Sequence, residues 1–103
     1  MNKILIAFSA MFCLLSFNLA LAADFNAAET YTTSCHGCHG LDGSISASGI
    51  ESFKGKSAAD LEKMLVGYQD GTYGGQGKMV MTGLVKPFSA EELKALGEYM
   101  AKM

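Results

Sequence analysis

Cys35-His36-Gly37-Cys38-His39 reads C-x-x-C-H, the pattern by which a c-type haem is attached. The spacing has a chemical reason. Thiols three residues apart share one face of a helical turn, where both can add to the vinyl groups along one porphyrin edge. The imidazole directly after the second thiol then falls under the iron as proximal ligand. Three other chemistries fit less well. A thioredoxin-like C-x-x-C expects a surrounding βαβ pattern, and none is visible. Structural zinc needs four ligands converging from separate segments, but beyond Cys13 near the start the chain has no Cys or His outside this pentapeptide. A plain Cys35–Cys38 disulfide leaves His39 without a role. His36 sits inside the motif and cannot swing round to the far face of the haem.

Outward from the motif the pattern is helical, so the expected class is all-α: three to four short helices around one covalently bound haem. Residues from about Asn26 to Ser34 form an amphipathic stretch that should run straight into the motif. Gly40 to Gly49, rich in Gly and Ser, reads as loop. Ser57-Ala58-Ala59-Asp60 is an N-cap with an acidic residue at N3. Leu61, Met64, Leu65 and Tyr68 follow at helical spacing, and Asp70-Gly71 ends that helix. Gly71 to Gly77 is a glycine-rich loop that needs something to wrap. Ser89-Ala90-Glu91-Glu92 is a capping box just after Pro87, and Leu93, Leu96, Gly97 and Met100 give the inner face of the last helix. A mid-helix glycine costs up to ~1 kcal/mol against Ala, which implies a close backbone crossing at Gly97. The N-terminal helix is the expected neighbour there.

The start of the chain reads as an export signal. Met1-Asn2-Lys3 is its positive end, Ile4 to Phe17 its apolar run, and Ala20-Leu21-Ala22 its small-x-small cleavage pattern. Residues 1–23 are thus expected to be removed and residues 24–103 to form one haem-binding domain. Cys13 lies mid-run behind Met11 and Phe12 and belongs to the discarded leader. An uncleaved membrane anchor is the rival reading, but Ser9, Ser16 and Asn18 argue for cleavage, hence no stable membrane insertion. The remaining chain of roughly 80 residues is marginal for a protein-only core, and a bonded apolar disc supplies one. Losing Lys3 with the leader takes the formal charge from −2 to −3. That balance argues against a nucleic-acid partner.

Function turns on the far side of the iron. Met64 and Met100 sit at helical spacing and read as core, and Met103 is the chain end. Met79 and Met81 remain, in a stretch from Gly77 to Gly83 expected to be non-helical. Alternation puts both on similar sides, so the residues alone do not separate them.

Three further stretches carry a resemblance. Cys35 to Ser44 (C-H-G-C-H-G-L-D-G-S), Gly67 to Gly75 (G-Y-Q-D-G-T-Y-G-G) and Met81-Thr82 through Leu96 make the chain similar to the small bacterial class I cytochromes c. It closely resembles the cytochrome c-553 type of sulphate-reducing bacteria, over nearly all of residues 24–103. The resemblance implies the cytochrome c-like fold, haem c as cofactor, and the methionine immediately before threonine, here Met81, as second axial ligand beside His39. It implies that Tyr68 and Tyr73 pack about the haem and that Met79 is a neighbour only. One departure stands out. The proline usual shortly after the motif is missing, and Pro87 is the sole proline, so the acceptor of the His39 ring N–H is open.

With nitrogen and sulfur on the iron, no coordination position remains for oxygen or peroxide, which suits an electron-transfer protein and opposes an enzyme. The expectation is a soluble, monomeric periplasmic one-electron carrier, with formate dehydrogenase or hydrogenase as partners by resemblance. Lys54, Lys56, Lys78 and Lys86 are candidates for a docking rim, though each is equally readable as an ordinary solvated lysine. The alternatives are a five-coordinate gas- or peroxide-binding haem protein and a small haem subunit of a membrane-bound dehydrogenase.

Overall fold

The computed structural model describes residues 24–103, with Ser48 and Gln76 excepted; the expected leader, residues 1–23, lies outside the described residues. Among these the fold is all-α, with five helical segments. An isolated antiparallel bridge between Ala47 and Ile50 is the remaining regular feature.

Helix α1 (Ala27–Ser34) opens at Asn26, whose side chain accepts from the Glu29 N–H at 3.0 Å. It does not run straight on, as expected from sequence. Cys35, at φ −118° and ψ −37°, interrupts it by one residue while its N–H still reaches Tyr31 O, and one further turn, α2 (His36–His39), carries the rest of the motif and stops at Gly40, φ 82°. The His39 N–H donates to the Cys35 carbonyl at 3.1 Å, so the two thiols keep the helical spacing that shared attachment requires.

Helix α3 (Ala58–Asp70) starts where its cap signal placed it: the Ser57 hydroxyl accepts from the Asp60 N–H at 3.1 Å. It ends in a left-handed Gly71 at φ 81°. Helix α5 (Ala90–Ala101) begins with a complete capping box. Ser89 N donates to Glu92 Oε1 at 2.9 Å, and Glu92 N donates back to Ser89 Oγ at 3.2 Å.

Helix α4 (Lys78–Val85) is a correction to the sequence reading, which made residues 77 to 83 non-helical. Gly77 occupies its N-cap without a side-chain hydrogen bond. With no cap, two β-branched valines and a mid-helix glycine, the local signals were against it. Packing on α3 supplies what propensity does not.

The core consists of Tyr31, Phe53, Leu61, Leu65, Val85, Leu93, Leu96 and Met100. Its main seam is α3 against α5. Gly97 does mark a close crossing, but with α3 and not the N-terminal helix. A Cβ there would stand 3.0 Å from Glu62 N and 3.2 Å from Ala58 O. Helix α1 meets α5 through larger side chains, with Tyr31 and Tyr99 at 5.9 Å between ring centroids.

Candidate haem site

A cavity of about 730 Å³ opens between the motif turn, α3, the glycine-rich loop and α4. Cys35, Cys38 and His39 line one part of it, Met64 and Tyr68 of α3 another, and Val80, Met81 and Leu84 of α4 a third. Tyr73, Gly74, Gly75 and Gly77 contribute the loop wall. A Cβ on Gly77 would come within 2.7 Å of the Gly49 carbonyl oxygen, so the two loops bordering the cavity touch backbone to backbone there.

Cys35 is half-buried and Cys38 exposed. Burial pushes the Cys35 thiol up and the His39 imidazole down, which favours the neutral form of each. The His39 ring lies 5.3 Å from Phe53, tilted at 52°. Its Nδ1 is buried and has no hydrogen-bond partner among the described residues. Behind the ring, Tyr31 hydroxyl donates to the Gly40 carbonyl at 2.7 Å. His36 is half-buried but takes no part in the cavity wall.

The helical form of α4 separates the two methionines that sequence left together. Residues two apart on a helix point about 200° from one another. Met79 is 75% exposed and outside the cavity, whereas Met81 is half-buried, packs on the core and lines the cavity. Met64 and Met100 border the same space, Met100 from within the buried core. Tyr68 and Tyr73 also line it, meeting edge to face at 5.1 Å and 89°. Burial raises the Tyr68 pKa, helped by Tyr73 and by Glu51.

Two contributors escaped the sequence reading. Phe53 is buried, packs edge-on to Tyr31 and borders His39, yet it stands between Glu51-Ser52 and Lys54-Gly55 with no periodic signal. Gln69 lies one position past the apolar stripe and reaches the backbone after α4: its Nε2 donates to Val85 O at 3.0 Å and Phe88 O at 2.7 Å. Of the four candidate docking lysines, Lys54 is committed to Asp42 at 2.6 Å, Lys56 is half-buried, Lys78 borders the cavity and Lys86 is exposed.

The residues present fit a haem: two thiols at thioether spacing, a neutral imidazole beside them, and a large, mainly apolar cavity. The comparisons agree. Residues 26–103 match the Cytochrome c family, and the chain belongs to it: a monohaem electron-transfer domain with covalently bound haem c, and not an enzyme. The chain is 46% identical to the Cytochrome c-553 of Nitratidesulfovibrio vulgaris (strain DSM 19637 / Miyazaki F), over the full length of both. It is 37% identical to the Cytochrome c-553 of Desulfomicrobium norvegicum (strain DSM 1741 / NCIMB 8310), across 71% of this chain and 90% of that one. No helix among the described residues is long and apolar enough to cross a membrane.

Proposed function

We propose that this protein is a periplasmic, monomeric one-electron carrier whose haem is held by Cys35 and Cys38 and ligated by His39 and Met81. When bound, the haem supplies one-electron exchange at iron. The chain's own side chains do the rest. The Cys35 and Cys38 sulfurs would hold the haem covalently, and the neutral His39 imidazole and the Met81 thioether would ligate its iron. Tyr68 and Tyr73, which line the same cavity as Met81, would shield it from water. An iron ligated by both side chains would exchange an electron with little rearrangement and would leave no site open for a substrate.

The single observation behind this reading is the contrast on α4, with Met81 lining the cavity and Met79 turned away. The test is redox-monitored absorbance of the holoprotein. Met81→Ala should abolish the methionine–iron charge-transfer band, lower the reduction potential and let carbon monoxide bind the reduced form quickly; Met79→Ala should do none of these. A reversed outcome would make Met79 the ligand.

Export rests on the leader pattern of residues 1–23, with cleavage near Ala23 or Asp24. N-terminal sequencing of protein recovered from the periplasm checks it. By resemblance to its family, the chain serves redox enzymes such as formate dehydrogenase or hydrogenase. Docking would use Lys78, Lys86 and Lys56 more than Lys54, whose charge Asp42 already neutralises. At low ionic strength, Lys78→Gln should therefore slow reduction by an acidic partner more than Lys54→Gln, a gap that closes as salt screens it.

A further inference from the structure

Helices α3 and α4 complete each other's C-terminal ends. The last carbonyls of any helix lack intrahelical donors. In α3, the Thr72 N–H that would reach Tyr68 O goes instead to Gly67 O at 2.9 Å. The Tyr68 carbonyl is taken up from the other helix, by the Thr82 hydroxyl at 2.7 Å. In return, the side chain of Gln69, the next residue of α3, donates to the end of α4 and the turn beyond it. Its Nε2 lies 3.0 Å from Val85 O, 2.7 Å from Phe88 O and 3.4 Å from Lys86 O.

These bonds bear on the site because of what α4 otherwise lacks. Its N-cap has no side-chain bond, Met79 and Val80 are 75% and 65% exposed, and Val85 is its one buried side chain. Thr82 is the immediate neighbour of Met81. Beyond Val85, only the half-buried Met81 packs against the core from this helix, and an element with so few buried apolar contacts shifts at small cost unless polar bonds fix it.

We infer that Gln69 and Thr82 are positioning residues, a reciprocal latch that fixes α4 on α3 and so sets how firmly the Met81 thioether is offered to the iron. The inference rests on the reading of Met81 as ligand. In ligand competition, each bond lost should make the ferric protein bind added imidazole more tightly, because the thioether it displaces is held less well.

The experiment titrates ferric holoprotein with imidazole and follows the methionine–iron charge-transfer band. Thr82→Val removes the hydroxyl at constant shape and Thr82→Ser restores it; Gln69→Met removes the donor at similar length. Thr82→Val and Gln69→Met should each raise imidazole affinity by about tenfold, with Thr82→Ser close to wild type. Ser89→Ala, which removes the α5 cap at a comparable cost in overall stability, should leave the affinity unchanged. Affinities of Thr82→Val and Gln69→Met within twofold of wild type would overturn the latch, as would an equal effect of Ser89→Ala. If Gln69→Met yields no holoprotein, the Thr82→Val and Thr82→Ser pair decides alone. Met81→Ala separates the two levels: a band that survives it removes the ligand assignment itself, whereas its loss together with unresponsive latch variants removes only the latch.

Discussion

Tyr31 shows how much one side chain can tie together. Its ring meets Phe53 edge-on at 6.2 Å and Tyr99 at 5.9 Å, and its hydroxyl holds the Gly40 carbonyl at 2.7 Å. It thereby links α1, the loop residue behind His39 and the last helix. Burial first, then the charges of Cys35, Asp42 and Tyr99, push its pKa from 10.0 up to about 12; thioether formation at Cys35 removes that one charge. A group whose folded value is raised contributes stability in full below its unfolded value, so Tyr31 should help the fold up to about pH 10. The contribution should disappear as pH rises through 12. Tyr31→Phe should cost about 1 kcal/mol at neutral pH by losing one part-buried hydrogen bond. Urea unfolding of the holoprotein measures that cost, and it should shrink toward zero in strong alkali.

Between elements, Gly97 sets the distance at which α3 and α5 can pack. Helix propensity alone makes Gly97→Ala favourable by about 1 kcal/mol. The new Cβ, however, would press on Glu62 N at 3.0 Å and Ala58 O at 3.2 Å, backbone atoms that move only with their helix. Overpacking of this kind costs roughly 1–3 kcal/mol, so the net change should be destabilising. A thermal melt of Gly97→Ala holoprotein tests the sign: a raised midpoint would mean that the seam has slack. The contrast with Gly83 is useful. That glycine, exposed on α4, has open space where its Cβ would be, and propensity should govern it instead.

The molecule as a whole gathers its elements around the cavity. Three of its walls, the motif turn, the glycine-rich loop and α4, have few buried side chains of their own, while the buried cluster lies chiefly along the α3–α5 seam. A chain of this size gains little from such a core by itself. The Cys35→Ala, Cys38→Ala double variant, which cannot be loaded covalently, should therefore lose most of its helical circular dichroism. A native-like spectrum from that variant would mean that the seam suffices to fold the chain.

The cofactor, the helical class and the caps were legible in the residues themselves. C-x-x-C-H is a local pattern whose chemistry depends on one helical turn, and Ser57 and Ser89 act within four residues of their partners, so no distant contact is needed to read them. Attachment of a haem also followed from scarcity: past residue 23, no other Cys or His competes. What stayed illegible was decided by partners remote in sequence. The helix around Met81 forms against its local propensities because α3 receives it, and only that helix turns Met79 to solvent and Met81 inward. Gly97 announced a crossing without naming the helix, since a missing Cβ records closeness and not identity. Spacing along a chain can specify a covalent staple, but which side of a helix faces a cavity depends on where its neighbours stand.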